Sequence, residues 1–286
     1  MDRLSDLELL GEYASSGSDE AFGELARRHL GLVRGVALRQ LRDEHLADEV
    51  CQAVFLALAR KAGTLPTGTV VAGWLFRATR FAAGKLARDE ERRSRHEREA
   101  AMTHFESVTE DAASHEAWEG IAPLMNEALE ALSPKDREAV LLRFFERQAF
   151  AEVGRDLGTS EDAAKMRVGR AVERLRSFFR KRGVALGTAT LAGALTAHAA
   201  VPVPAHLASA VSAGLAGTDA STARIAPQAD AILHHWRWLR VKRWLAGLAI
   251  LLLTISLLWL MGGVFGWRRN SPAPAWPQPA QQWPGR

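Results

Sequence analysis

Residues 150–176 read FAEVGRDLGTSEDAAKMRVGRAVERLR. Phe150, Val153 and Leu157 recur at spacings of three and four, which predicts a short amphipathic helix. Gly158-Thr159-Ser160 interrupts the pattern, and a longer helix starts at Glu161 with Ser160 as its cap. Ala164, Val168, Ala171 and Leu175 form the apolar stripe of that helix. A helix–turn–helix needs a small residue where the second helix crosses the first, and Gly154 stands there. It also needs a turn residue tolerant of positive φ, and Gly158 supplies it. Asp162, Met166 and Arg170 then point away from the core, flanked by Lys165, Arg167 and Arg174. A helix displayed this way can lie in a DNA major groove, its early residues near base edges and its Arg residues near phosphates. An amphipathic helical pair with a solvated basic face is the plainer reading of the same pattern.

Working outward, Ser133-Pro134 is a helix start with an N-cap and a proline at the first helical position. From Lys165 to Arg182 there are eight basic residues and one acid, whereas from Glu99 to Glu119 there are six acids and no Lys or Arg. A basic block beside an acidic one suggests a nucleic-acid-facing element and a solvated linker. Nearer the N-terminus, residues 19–39 carry Phe22, Leu25, Val33 and Val36 on one face. Residues 45–60 carry Ala47, Val50, Cys51, Val54, Phe55 and Leu58 on one face and Asp48, Glu49 and Gln52 on another. A further helix begins near Val70 with Trp74, Leu75 and Ala78, and runs into a charged stretch, Arg88 to Arg98. No useful run of strand-like alternation occurs, so the expected fold class is all-α.

Cys51 is the single cysteine, which excludes an intrachain disulfide and a Cys-rich zinc site, and its place on an apolar stripe predicts a core residue. The N-terminus lacks the apolar core of a signal peptide. His234 and His235 fit an interfacial pair better than a metal site. No catalytic triad, carboxylate pair or phosphate-cradling loop is present, so no enzyme, cofactor or metal is expected.

Two halves of the chain together resemble the extracytoplasmic-function sigma factors, the small two-domain class. The first half is similar to their region 2 at Asp19-Glu20-Ala21-Phe22, at residues 47–56, and at Trp74-Leu75 with Arg77-Ala78-Thr79-Arg80. The second half looks like region 4 at Leu132-Ser133, Leu141-Leu142-Arg143, Glu152-Val153-Gly154, residues 157–160, residues 165–171, and Leu175-Arg176. Three departures bear on promoter sequence: Phe81 stands where the family usually has Asn, Lys85 stands near where it often has an acid, and Ala163-Ala164 replaces the usual Thr-Val.

The resemblance implies a factor that binds core RNA polymerase and directs it to promoter DNA. It implies polymerase docking through Asp48, Glu49 and Gln52. It implies promoter contacts by Trp74, Arg77, Arg80, Phe81, Lys85 and Arg88 where strands separate, and by Ser160, Asp162, Ala163, Lys165, Met166, Arg167, Arg170 and Arg174 in the helix–turn–helix. Trp74 fits a core anchor equally well. A helix–turn–helix regulator that never joins polymerase is the rival reading.

The expected organisation is a region 2 helical domain over 5–98, an acidic linker over 99–122 and a region 4 domain over 123–182. An Ala/Gly-rich connector over 183–243, a transmembrane helix over 244–267 and a Pro-rich tail over 268–286 follow. Residues 245–266 are 22 uncharged residues with ten Leu and Ile. At about 1.5 Å per residue they reach roughly 33 Å, the thickness of a bilayer core. Arg237, Arg240, Lys242 and Arg243 precede the stretch and Arg268 and Arg269 follow it, which orients the N-terminal half to the cytoplasm. The expected location is therefore the cytoplasmic face of the inner membrane, where the tail restrains the factor or, in the competing reading, only localises it. An anti-sigma factor, or a protease cutting the connector, would complete such a control. The connector itself reads as a linker, an interfacial helix or a partner-binding helix.

Overall fold

In the computed structural model the described residues are 4–97, 112–215, 225–235 and 252–254. They contain helices and no strand, so they are all-helical as expected. Residues up to His234 form one unit. Within it lie α1 (Asp6–Ser16), α2 (Asp19–Leu41), α3 (Glu44–Lys61), α4 (Val71–Glu97), α5 (Ala112–Ala131), α6 (Pro134–Val140), α7 (Phe150–Asp156), α8 (Glu161–Lys181), α9 (Thr188–His198) and α10 (Ala205–Leu215). Residues 225–235 are also helical and are called α11.

Local sequence accounts for the helix starts. Ser5 and Glu8 close a reciprocal capping box on α1, and Ser18, Asp43, Ser133 and Ser160 each accept a bond from the first turn of the helix that follows. Helices α1 to α4 pack around Phe22, Leu25, Val33, Val54, Phe55 and Leu75, all fully buried. Burying one such side chain contributes about 1.5–3 kcal/mol. Cys51 lies inside this core, and burial pushes its thiol well up, so no thiolate forms at neutral pH.

A second set of apolar residues runs through α5, α6, α7 and α8: Ile121, Met125, Leu129, Val140, Val153, Val168, Leu175 and Phe179. The widened π turn Leu141–Phe145 adds Leu141, Leu142 and Phe145. This core is continuous with Leu32 and Val36 of α2 and Ala72 and Phe76 of α4, so the two halves share one interior.

Two sequence expectations change here. The acidic stretch read as linker over 99–122 is helical from Ala112, because Ala117 and Ile121 fall four apart and bury against the second core; 98–111 lie outside the described residues. The region 4 core does not end at 182. Leu191, Ala194, Leu195 and Ala199 of the connector join it, with α9 packed on α5 and α8. Further along the connector α10 and α11 are helical, whereas 184–187 and 201–204 have no regular structure. Finally, among the described residues no helix is long and apolar enough to cross a membrane. The expected span and the Pro-rich tail lie outside the described residues, apart from a helical turn at 252–254.

Candidate nucleic-acid interface

The geometry of the helix–turn–helix follows from two glycines. Gly158 adopts φ +63°, the left-handed conformation the turn requires. Gly154 lies against the start of α8: a Cβ added there would stand 2.9 Å from the Thr159 carbonyl oxygen and 3.2 Å from the Glu161 nitrogen. The Thr159 amide donates to the Gly154 carbonyl at 2.8 Å, which ties the turn to α7.

On α8 the predicted face is open. Asp162, Lys165, Met166, Arg170 and Arg174 are exposed, while Ala164, Val168, Ala171 and Leu175 are buried. Met166 is 63% exposed, an unusual place for a long apolar side chain on a free surface. Arg170 has no ion-pair partner among the described residues. Lys165 instead pairs with Glu161 at 2.9 Å and Asp162 at 3.7 Å within its own helix. Ser160 spends its hydroxyl on the Ala163 amide at 3.2 Å, and Ala163 is half-buried, so both shape the helix start. Arg167 and Arg174 bracket the buried carboxylate of Asp136 on α6, which aims their guanidinium groups.

The α4 residues are differently placed. Trp74 is 3% exposed and serves as a core anchor, not as a displayed ring. Lys85 and Arg88 are exposed and Phe81 is half-buried. Arg80 is held by α5: its Nε and Nη2 donate to the two carboxylate oxygens of Glu130, each at 2.9 Å, and its Nη1 donates to Gln40 at 2.7 Å. Arg77 stands 3.9 Å from Glu138, and Arg137 lies over the Phe76 ring at 5.6 Å. Burial raises the Glu138 carboxyl, with Arg77, Arg137 and Lys135 opposing it. Thus carboxylates of the second half occupy two cations of the first.

Other polar groups bind the halves together. Asn126 donates to the Val36 carbonyl at 2.9 Å and accepts from Arg39 Nε at 3.1 Å. His29 is buried between Asp6 Oδ2 at 2.7 Å and Glu146 Oε1 at 3.0 Å. The Glu146 contact is an ion pair not aligned as a hydrogen bond.

On α3, Asp48, Glu49 and Gln52 share a face as expected, but that face is half-buried. Asp48 Oδ1 accepts from the buried Arg34 at 3.0 Å, which fixes its carboxylate. Sequence reasoning missed Arg34, Asp136, Glu130, Glu138 and Glu146. Each lies at least 14 residues from the side chain it meets across helices, a separation no local periodicity encodes.

Residues 25–93 match the family described as Sigma-70 region 2, and residues 124–175 match Sigma-70, region 4. The chain is 34% identical over 160 residues to RNA polymerase sigma factor CarQ of Myxococcus xanthus, covering 56% of this chain and 90% of that one. The chain belongs to the extracytoplasmic-function RNA polymerase sigma factors. It is also similar to the sigma factor SigM of Mycobacterium tuberculosis, 30% identical over 171 residues, 60% of this chain and 83% of that one. SigE of Mycolicibacterium smegmatis is 28% identical over 164 residues, 56% and 62% of the two chains.

A sigma factor is a transcription-initiation subunit and not an enzyme: it directs core RNA polymerase to promoters, and the polymerase carries out the chemistry. That settles the choice against a regulator working apart from polymerase. In this sigma factor the region 2 match lies on α2 to α4 and the region 4 match on α5 to α8, and the two share one core.

Proposed function

We propose that this sigma factor reads the downstream-facing and upstream promoter elements with separate helices, docks on core polymerase through α3, and works from the membrane. The exposed face of α8 carries the reading. Met166 offers an apolar contact of the kind a thymine methyl accepts, and the unpaired Arg170 offers a fork for guanine or phosphate. Arg167 and Arg174, pre-aimed by Asp136, suit the flanking backbone. On α4, Arg77, Arg80, Phe81, Lys85 and Arg88 are the candidates for the melting element, with Trp74 supporting them from the core. Arg77 and Arg80 reach DNA only after Glu138 and Glu130 release them, so promoter engagement requires the two halves to separate.

Docking is assigned to Asp48, Glu49 and Gln52, whose charge favours orientation and association rate more than raw affinity. Support for a membrane location is the 22-residue uncharged stretch at 245–266 with its heavier positive flank before it. In that arrangement the helical unit stays on the cytoplasmic side of the inner membrane and the tail limits its access to polymerase. A separate anti-sigma factor or a protease acting on the connector fits the same control. Full-length protein should stay in the membrane pellet after alkaline extraction, and recovery in the supernatant would remove the tether from this reading.

Arg170→Ala is expected to weaken promoter binding by about 1–3 kcal/mol and relax specificity at one position if Arg170 reads a base. If it holds phosphate, binding weakens on all sequences and the salt dependence becomes shallower. In vitro transcription with core polymerase on genomic DNA, with salt titrations of promoter binding, measures both. Unchanged start-site choice and unchanged binding would reject α8 as the reading helix.

A further inference from the structure

The face of α3 assigned to polymerase is not free in this chain. Helix α10 packs across α3 and α2, burying Leu207 and Val211. His206 Nε2 stands 3.2 Å from Asp48 Oδ2, on the carboxylate oxygen that Arg34 leaves open. From α11, Gln228 Nε2 donates to Glu49 Oε1 at 2.6 Å. Asp230 accepts from Arg60 Nη1 at 2.7 Å, one end of α3 further along. Ile225, Ala229 and Ile232 are buried at spacings of four and three, so α11 has an apolar seat as well as these polar bonds.

The segment before α10 is seated on α2 itself. A Cβ on Gly35 would stand 2.9 Å from Val201 Cγ2, and one on Gly31 would stand 3.0 Å from the Val201 carbonyl oxygen. Close approach of Val201 to two glycines one helical turn apart, two buried apolar stripes and three polar bonds converge on one surface. A loose connector would show none of these, because ordering it must offset the backbone entropy of every residue fixed.

We infer that residues 199–215 and 225–234 form a cover in cis over the α2–α3 face carrying Asp48 and Glu49, and that this cover and core polymerase compete for that face. The inference rests on the assignment of Asp48 and Glu49 to polymerase docking. The cover copies what a docking partner would do: it meets the two carboxylates with polar side chains and packs an apolar helix face on the same helices. A tail that carries the cover and also runs on to the 245–266 stretch couples its release to whatever acts on the tail. A face open one time in ten binds with an apparent affinity reduced about tenfold.

The test uses the full-length protein in detergent micelles and core polymerase. Leu207→Glu with Val211→Glu should unseat α10 and tighten binding to polymerase about tenfold or more. Because charges at buried positions can disturb folding, His206→Ala with Gln228→Ala is the milder companion and should tighten binding in the same direction. Hydrogen exchange on the unaltered protein gives a readout without substitutions: adding polymerase should raise exchange over 205–212 while α3 stays protected. Glu49→Lys in the unseated background separates the two ideas. If it abolishes binding but unseating tightened nothing, docking through α3 stands and the cover is rejected. If unseating tightens binding while Glu49→Lys leaves it unchanged, the docking assignment falls, and with it competition at this face. Protection over 205–212 retained in the polymerase complex also overturns the cover.

Discussion

Replacing His29 by Ala is expected to lower the unfolding free energy by about 3–5 kcal/mol, because it strips a partner from a buried charge cluster. His29 is 1% exposed and its two ring nitrogens face Asp6 and Glu146. Burial alone would push the imidazolium down, but the carboxylates of Glu146 and Asp6 overcome it and raise His29 to about 10. For Asp6, burial works upward, and His29 and Arg28 outweigh it and lower the carboxyl to about 2. Without His29, Asp6 keeps Arg28 at 3.1 Å, whereas Glu146 is left buried beside no cation of the cluster. The pair removed together, His29→Leu with Glu146→Leu, should therefore lose less than His29→Ala alone.

The pH dependence follows from the same two groups. The His29 contribution is complete below its unfolded value of 6.5 and is lost as pH rises through about 10. The Asp6 contribution is complete above 3.8 and is lost as pH falls through about 2. Both are complete between pH 3.8 and 6.5. Urea titrations at several pH values, followed by helical circular dichroism, should show a difference between parent and His29→Ala that shrinks as pH rises above 6.5. A difference that stays flat from neutral pH to pH 10 would mean that His29 acts as a space-filler and not as a cation. Because Glu146 belongs to the second half, the variant should also loosen the grip of region 4 on region 2.

Gly154→Ala is expected to destabilise the protein and to abolish sequence-specific promoter binding. Two effects of opposite sign compete. In an ordinary helix interior, Ala is better than Gly by about 1 kcal/mol. At Gly154 the new Cβ would meet the Thr159 oxygen at 2.9 Å, the Ser160 carbonyl carbon at 3.1 Å and the Glu161 nitrogen at 3.2 Å. All three are backbone atoms, so no side chain can swing aside, and overpacking of this kind costs about 1–3 kcal/mol. The close approach wins. Relief requires α8 to lift from α7, which breaks the 2.8 Å Thr159–Gly154 bond and moves the face bearing Met166 and Arg170. Gly169, with open space around it, is the control: Gly169→Ala should hold or raise the melting temperature. An equal rise for Gly154→Ala would show that α7 and α8 are not held as close as described.

The helix–turn–helix was legible because its determinants are local. Gly154, Gly158, Ser160 and the stripe Ala164, Val168, Ala171, Leu175 all lie within 22 residues, and each acts on near neighbours. The same holds for the first-half helices, whose apolar positions turned inward as their periodicity predicts. Trp74 marks a boundary of that reading: an aromatic beside cations suits both a base contact and a core, and only the packing of α4 on α2 and α3 buries it. The acidic stretch misled in part because six acids outweighed Ala117 and Ile121, two apolar residues whose seat is supplied by helices far along the chain. The Ala/Gly-rich connector has little amphipathic contrast, so its helices carry no clear sequence signal of a face.

The sequence by itself determined the helices, their caps, the turn between α7 and α8 and the region 2 and region 4 character of the two halves. All of these depend on spacings of a few residues, where backbone geometry and side-chain periodicity act directly. Only the tertiary structure decided that Glu130 and Glu138 hold Arg80 and Arg77, that His29 joins Asp6 to Glu146, and that His206 and Gln228 reach Asp48 and Glu49. These meetings join residues 23 to 179 positions apart. A charge shows in the sequence wherever it stands, but its partner is chosen by which helix faces come to lie together.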